Sequence, residues 1–501
     1  MTSHAPVLRG QFSWTNIVAA SALALLPACT VGPDYTRPAE PVSEHYDQQA
    51  EKQLAAAGGP IGAQGIGFGQ KAAGDWWSAF GSAKLDQVMH QAIAGNLDLA
   101  AADATIAQAT EAVTAAEGGL YPQVDYGAKL GRQRSAGSPK PSTSSLYAIG
   151  PRVSFDLDIF GGTKRLVERQ AALADFQKHR FDAAYLTLTG DVASQAILLA
   201  SARAQIDAVQ TLLADDRKNL ELVRIAHLGG SVTQIDVALA ETQLSQDQTL
   251  LPPLAQQRDT ARHALSVLAG KAPADWAAPD FDLTDFVLPS DLPVSLPSEV
   301  AHDRPDILAA EAELHAASAA IGVATANLYP QLTLSASLTQ AAAGPGSLLE
   351  AGSTLWSIAG GLAGPIFHGG ALEADRRAAV DSYRASLAGY QQTVIKSFGQ
   401  VADVLQAINH DAEEYSAQDR ALNAAGASLR LNREGYRGGE TGVLQVLDAE
   451  RAYQQALLGQ IRTKTAQYLD TAQLSVALGG NSAGAFERSA PYREARNGRD
   501  R

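Results

Sequence analysis

GTKRLVERQAALADFQKHRFDAAYLTLTGDVASQAILLASARAQIDAVQTLLADDRKNLELVRIAH, residues 162–227, is a run without proline whose only interior glycine is Gly190. Nothing in it ends a helix, because proline is the residue that most strongly breaks one. At a rise of about 1.5 Å per residue, such a helix spans about 100 Å, which no compact domain holds. Residues 370–437 form a second proline-free run. The chain therefore predicts two very long, coiled-coil-like helices.

The apolar residues of both runs are spaced as in a coiled coil. In the first run they follow one another at steps of three or four residues, except that Asp216 stands at one position where an apolar residue is expected. In the second run Asn432 stands at such a position. The positions are Ile206, Val209, Leu213, Leu220 and Val223, and Leu422, Ala425, Leu429 and Tyr436. This pattern alone also fits an adaptor protein that forms no pore.

An internal repeat organises the chain. Leu120-Tyr121-Pro122-Gln123 recurs as Leu328-Tyr329-Pro330-Gln331, and three further matches, in the same order, share a shift of 207 to 209 residues. The further pairs are Ile159-Phe160 with Ile366-Phe367, Gly229-Gly230 with Gly438-Gly439, and Ala240-Glu241 with Ala449-Glu450. The sequence therefore predicts two copies of one unit: a helix, two strands, a long helix, a Gly-Gly turn and a second helix.

Four segments have the alternation of strands with one apolar face, although the fourth is rich in glycine and alternates poorly. They are residues 122–136, 146–158, 331–340 and 354–364. Alternation alone favours a half-buried sheet in a soluble protein. The N-terminus contains a secretion signal, described below, and together with that signal the alternation predicts membrane barrel strands. Four strands cannot close a barrel, and an open edge cannot lie in lipid. Two copies would give a barrel filled by side chains and three a barrel with a lumen, so we predict a trimer.

The N-terminus has the order of a secretory signal. Arg9 precedes an apolar run at residues 17–26, which leads to Leu26-Pro27-Ala28-Cys29, the only cysteine of the chain. This ending resembles the lipobox of bacterial lipoproteins, which implies cleavage before Cys29 and its lipidation. In such lipoproteins, an aspartate directly after the cysteine commonly marks retention in the inner membrane. Thr30 stands at that position, so the resemblance implies sorting to the outer membrane. The alternative is an ordinary signal peptide beside an incidental cysteine.

The domain organisation follows from these features. The predicted parts are a signal peptide at 1–28, an N-terminal lipid-anchored segment at 29–80, a first repeat at 81–270, a proline-rich linker at 271–303, a second repeat at 304–479 and a disordered tail at 480–501.

The residues contain no recognisable enzyme site. A net charge of -14 argues against nucleic acid as a partner, since phosphate binding needs a basic face. No catalytic, cofactor or metal motif is evident. His368 is interpreted as a turn residue before a helix, and the glycines at 65, 67 and 69 as a linker.

Several motifs carry a resemblance to one family along residues 29–480. They are the mature start from Cys29 to Pro38, Asp75-Trp76-Trp77-Ser78-Ala79-Phe80, Arg304-Pro305-Asp306-Ile307, Ile321-Gly322-Val323-Ala324 with Leu328-Tyr329-Pro330, and Gly364-Pro365-Ile366-Phe367. Together they resemble the TolC-like outer-membrane factors of resistance-nodulation-division efflux pumps, of the nodulation-protein T type. The resemblance implies an α+β membrane protein: a trimer whose twelve-strand outer-membrane barrel, four strands per chain, continues into a periplasmic α-helical barrel.

The same resemblance implies the partners. They are two further copies of the chain, a periplasmic adaptor protein, an inner-membrane pump and outer-membrane lipid. The expected function is a passive export duct, with no cofactor. The alternatives are a coiled-coil lipoprotein with an adaptor or structural role and a secreted carbohydrate-active enzyme. The exported substrate stays open.

The long helices predict a gate where they end, at the two Gly-Gly turns. We expect the adaptor to dock on these glycines, which are Gly229, Gly230, Gly438 and Gly439. Asp236 and Asp448 follow the turns and would form rings of charge in a trimer, although each also fits an ordinary helix start. The resemblance extends to Val446-Leu447-Asp448-Ala449 as a gate segment and to Tyr436 and Arg437 as residues that tie the coils closed. Gln445 stands where many members carry a second acid.

Overall fold

The computed structural model describes residues 30–39, 45–46, 64–70, 74–136, 141–480, 482 and 484–489. The predicted signal peptide and Cys29 lie outside these residues. Within them, the order of elements in the first part of the chain is repeated in the second.

The helices and strands are numbered here in chain order. They are β1 (Gly65–Phe68), α1 (Ala83–Gly95), α2 (Leu97–Gly118), β2 (Gln123–Ser135), β3 (Ser142–Asp156), α3 (Gly162–Leu228), α4 (Gln234–Gln248), α5 (Leu251–Leu268), β4 (Asp291–Val294), α6 (Pro297–Asp303), α7 (Pro305–Ala326), β5 (Gln331–Ala342), β6 (Thr354–Ala363), α8 (Ala371–Gly438), α9 (Val443–Ala477) and α10 (Ala485–Arg488).

The described chain divides into two compact units. The first, the strand unit, comprises residues 30–37, 108–174 and 312–388, and the second, the helical unit, comprises the rest. Each unit takes residues from both repeats, because the repeated elements pair with each other. The predicted parts are continuous segments of the chain, whereas each of these units is assembled from several separate segments.

The strand unit contains a four-stranded antiparallel sheet in the order β2-β3-β5-β6. Its register places apolar residues opposite one another across all four strands: Val124, Val153, Ala336 and Ile358 form one such row. The next row, on the other face, contains Gln123, Ser154, Ser335 and Ala359. The sheet therefore has one continuous apolar face, because side chains alternate between faces along each strand.

The apolar face of the sheet is uncovered. Leu130, Trp356 and Ile358 are 77%, 74% and 78% exposed. Weak alternation in β6 reflects Gly360, which lies opposite Leu334 on this face between the two larger residues Ile358 and Leu362. Such a face in water would be a large apolar patch, so it needs lipid or another protein surface to cover it.

The chain after Cys29 is held against the strand unit. The Val31 amide donates to the Phe160 carbonyl oxygen at 3.0 Å. Arg165, whose side chain is only 5% exposed, pairs with Asp34 at 2.6 Å and donates to the Val31 carbonyl oxygen at 3.2 Å. The Tyr35 ring stacks on His315 with centroids 4.3 Å apart. The N-terminal segment is therefore fixed beside the loop that joins β3 to α3.

The helical unit has an aromatic core. Trp76, Trp77 and Phe80, which the sequence places together, are each at most 4% exposed, and they pack with Phe286 and Tyr468. Pieces of chain that are far apart in sequence therefore meet in one cluster, which fixes the arrangement of the helices around it.

In the first repeat, the helix before the strands and the helix after the Gly-Gly turn are each divided into two. Residues 86–118 form α1 and α2, since the Asn96 side chain accepts from the amides of Asp98 and Leu99 and so caps a new helix. The helix after the first Gly-Gly turn is interrupted at residues 249–250, and Pro252 and Pro253 lie in the first turn of α5, where proline is accommodated.

Two stretches interpreted as linkers contain structure. The glycine-rich segment forms β1, which pairs in parallel with β4 of the proline-rich stretch, with Ile66 opposite Leu292. The interpretation of Gly65, Gly67 and Gly69 as a plain linker is corrected accordingly. In the stretch expected to be a disordered tail, α10 is ordered at its start because Phe486 packs on Phe181 and donates its amide to Asp182 at 2.9 Å.

Two helices, α3 and α7, contain windows that by length and composition alone could cross a membrane. About half of each window is buried inside the protein. Core helices of soluble proteins pass the same test, so these helices carry no argument for membrane insertion.

Candidate functional site

The candidate site is the pair of Gly-Gly turns in the helical unit. Gly230 and Gly439 have φ of 73° and 76°, a conformation that glycine adopts without strain. After α3, the Ser231 amide donates to the Ala226 carbonyl oxygen at 3.0 Å. After α8, the Glu440 amide donates to the Gly435 carbonyl oxygen at 2.8 Å. Both turns therefore end their helices in the same way, with backbone hydrogen bonds that satisfy the last carbonyls.

The two hairpins, α3–α4 and α8–α9, pack against each other through a small apolar cluster next to the turns. It consists of Leu220, Val223, Val237, Ala240, Val443 and Leu447, with Val232, Leu244 and Tyr436 at its edge. The predicted gate residues of both repeats thus lie in one region of the helical unit.

Asp236 has a structural partner. Its carboxylate accepts from the amide and the hydroxyl of Thr233, both at 2.8 Å, in a capping box at the start of α4. The backbone hydrogen bond lowers the pKa of this exposed carboxyl, and the hydroxyl lowers it further. These contacts favour the helix-start interpretation for Asp236.

Asp448 lies near the start of α9 with a side chain that is 75% exposed. Its nearest cation is Arg451, one turn along the same helix, at 3.5 Å. An exposed pair of this kind contributes little to stability, and the Asp448 carboxylate stays largely open to solvent. Gln445, at the position that matches Asp236 in the repeat, carries no charge.

Tyr436 and Arg437 differ in their surroundings. Tyr436 packs at the edge of the apolar cluster. Arg437 is exposed and, within the part of the chain that the structure describes, makes no hydrogen bond or ion pair. Arg437 also lines a groove of about 720 Å³ beside α3, α8 and α9.

Ion pairs that the sequence pattern does not reveal join the two hairpins. The Arg433 guanidinium lies 2.7 Å from Glu450 and 2.9 Å from Asp215, and Glu450 is 2% exposed. At the matching positions of the first repeat, Arg224 lies 2.6 Å from Glu241, but that pair is exposed. The signal in the sequence is the recurrence of an arginine and a glutamate at matching positions of both repeats.

Among the described residues, no group of three or more histidine, cysteine, aspartate and glutamate side chains has the spacing to hold a metal ion. His368 is exposed and its carbonyl oxygen accepts from the Ala371 amide at 3.1 Å, as the turn interpretation requires.

These features are the parts that an outer-membrane duct needs. They are a sheet with an uncovered apolar face, two very long helices, and two helical hairpins that pack together next to their Gly-Gly turns. The family model for outer membrane efflux proteins matches residues 88–271 and again residues 296–480. The chain therefore belongs to the outer membrane efflux protein family, and its resemblance to TolC-like outer-membrane factors is confirmed.

Individual relatives agree with this assignment. The chain is 30% identical over 416 residues to the pyoverdine export outer membrane protein OpmQ of Pseudomonas putida, covering 81% of this chain and 87% of that protein. It is 28% identical over 436 residues to nodulation protein T of Rhizobium leguminosarum bv. trifolii, covering 85% and 89%. The crystal structure of the open state of the Neisseria gonorrhoeae MtrE outer membrane channel superposes with a TM-score of 0.78 at 27% identity, covering 90% of this chain and 98% of that one.

The protein is an outer-membrane efflux channel component. The expectation of an export duct is confirmed, and this purpose accounts for the architecture without any catalytic chemistry.

Proposed function

We propose that three copies of the chain assemble into a passive duct, with a twelve-strand barrel in the outer membrane and a helical tube in the periplasm. The observation that carries this proposal is the sheet, which has one continuous apolar face and two edge strands, β2 and β6. In lipid the backbone groups of both edges need partners, so β2 of one copy would pair with β6 of the next.

The stoichiometry follows from the width of the barrel. Four strands per copy give eight strands in a dimer, an interior that side chains fill. Three copies give twelve strands and room for a lumen. The polar face, with Asp125, Lys129 and Ser335, would then face water inside, and Val124, Leu334 and Ile358 would face lipid.

The periplasmic adaptor would bind at the two Gly-Gly turns. Around the first turn, Leu228 and Ile235 are 87% and 71% exposed although both are large and apolar. Gly229, Gly230, Gly438 and Gly439 carry no side chains to obstruct an approaching helix. An inner-membrane pump would supply the energy and select the cargo. Neither the pyoverdine named for OpmQ nor any other cargo is assigned to this chain.

Lipidation of Cys29 supports anchoring in the outer membrane. The contacts of Val31, Asp34 and Tyr35 would hold the lipidated end beside the loop between β3 and α3. Cys29→Ser should leave an unprocessed precursor without acyl chains, as intact-protein mass spectrometry would record. Because the barrel itself inserts, part of the efflux activity should remain. A mature N-terminus at another residue in the natural protein would contradict this assignment.

The gate would consist of Asp448 and Arg437 around the threefold axis. Asp448→Asn should lower the preference for cations in single-channel recordings, since a ring of three carboxylates attracts them. Arg437→Ser should raise the conductance by removing a cation available to tie neighbouring copies together.

Asp381→Asn is the matched control for these recordings, because Asp381 is similarly exposed, at 68%, and pairs with Arg384 at a comparable i,i+3 spacing on α8. If selectivity and conductance are the same in Asp448→Asn, Arg437→Ser and the natural protein, the gate is misplaced, whereas conduction itself would still support the duct.

A further inference from the structure

A layer of acidic side chains interrupts the packing of the helical hairpins. On one side lies the apolar cluster next to the turns, and on the other a second apolar cluster built around Val209, Leu213 and Leu458. Between them, Asp216 of α3 and Asp247 of α4 are 3% and 5% exposed. Two buried carboxyl groups side by side are costly unless one of them is neutral.

The hydrogen bonds distinguish the two carboxyl groups. Asp247 accepts from the Gln243 amide nitrogen at 2.6 Å and from the Gln454 amide nitrogen at 3.1 Å, as an ionised carboxylate would. Neither oxygen of Asp216 accepts from an N–H or hydroxyl donor among the described residues, and its neighbour is the Asp247 carboxyl. Burial, followed by the hydrogen bond and the charge of the neighbouring Asp247 carboxyl, raises the pKa of Asp216 to about 8.

The surrounding charges do not neutralise Asp216. They are Asp215 on α3, Asp247 on α4, Arg433 on α8, and Glu450 and Arg451 on α9. Arg433 already pairs with Asp215 and Glu450, and Arg451 donates to Gln243 at 2.6 Å and lies near Asp448. A proton on one of the two carboxyl groups would balance this charge.

The internal repeat gives an independent comparison. At the matching positions of the α8–α9 hairpin, a shift of 209 residues, the chain has Ala425 and Ala456. The same hairpin therefore forms without acids, and packing does not require Asp216 and Asp247. Their presence in only one repeat indicates a purpose other than stability.

We propose that Asp216 and Asp247 share one proton and form a proton-operated latch that fastens the α3–α4 hairpin to α9, one apolar layer behind the Gly-Gly turns. With the proton bound, the two carboxyl groups carry one negative charge instead of two, and the helices around them stay packed. When it leaves, two buried negative charges repel and the helices behind the tip loosen. The inference concerns the helical packing and stands whether or not the gate residues are those proposed above.

The direction of the pH dependence follows from linkage. The folded state keeps the Asp216 proton between about pH 4, the ordinary value, and about pH 8. The stabilisation from this proton is therefore greatest at low pH and declines as the pH rises to about 8. Between these two values each pH unit favours loosening about tenfold, and the effect levels off above about pH 8, where the packed and the loosened states have both lost the proton.

The test uses the assembled full-length protein in lipid nanodiscs. Hydrogen exchange of amides in residues 209–220 and 443–458, corrected for the intrinsic rate at each pH, should rise about tenfold from about pH 7 to pH 9. Asp216→Asn, and the double variant Asp216→Ala with Asp247→Ala that copies the other hairpin, should show no such rise. Asp207→Asn, an exposed aspartate on α3, is the matched control and should behave as the natural protein.

An infrared readout identifies the proton itself. The carboxylic acid band of the natural protein should lose intensity with a midpoint near pH 8, and Asp216→Asn should lack that component. Burial, followed by the charge of the neighbouring Asp470, raises the pKa of Asp411 to about 7, so the spectra are compared as differences between the natural protein and the variant. An unchanged exchange rate in the natural protein, or the same rise in Asp216→Asn, would overturn the latch and leave the duct untouched.

Discussion

Leu334→Arg is expected to prevent most of the protein from inserting as a barrel. Leu334 lies opposite Phe155 and Gly360 within the apolar face of the sheet. An arginine on the lipid face costs about 2–4 kcal/mol near the bilayer midplane, and an assembly of three copies would carry that cost three times. The measurement is the amount of heat-sensitive oligomer in outer-membrane fractions.

Thr333→Arg is the matched control, since Thr333 is the adjacent residue of β5 and points to the opposite face, across from Asp156 and Gly361. On the lumen side, arginine stays in water and the oligomer should form in nearly natural amounts. Equal losses for both variants would show that the two faces of the sheet are assigned incorrectly.

Arg304→Met is expected to lower the free energy of unfolding by about 2–4 kcal/mol, since it removes a buried charge and leaves the Ala477 carbonyl oxygen and the Asp306 carboxylate without their partner. The Arg304 side chain is 8% exposed and pairs with Asp306 at 2.7 Å. It also donates to the Ala477 carbonyl oxygen at 2.6 Å and to Gln400 at 2.8 Å, and so joins the start of α7 to α8 and the end of α9. Thermal unfolding in detergent would measure the effect.

Arg304→Lys separates charge from geometry. Lysine keeps the charge but cannot form the two parallel hydrogen bonds to Asp306, so a large part of the loss should persist. Arg384→Met is the exposed control, with a pair to Asp381 that is open to solvent, and it should change stability by less than about 0.5 kcal/mol. A full recovery with lysine would mean that charge alone matters at this position.

Periodicity predicted the elements that are long. The proline-free runs became α3 and α8, and alternation located β2, β3 and β5, because both patterns extend over many residues. The four-residue strands β1 and β4 had too few residues to alternate, and they pair across more than 200 residues of sequence. Such pairing depends on the rest of the fold, which a local pattern does not contain.

The site was predictable in outline only. The Gly-Gly turns were visible as a repeat, but the contacts of their neighbours were not: Asp236 is held by Thr233, and Arg433 rather than Arg437 makes the buried ion pairs. Asp216 was visible as an interruption of the coiled-coil spacing. Its pairing with Asp247 on another helix needed the structure, since spacing along one helix does not identify a neighbour on the next.

If three copies pool their strands into one duct, the intact oligomer has the mass of three chains. The protein would be extracted from outer membranes in a mild detergent and weighed by native mass spectrometry. We expect three chains per particle, which supply twelve strands. A population of monomers or dimers, with the sheet still folded, would contradict it.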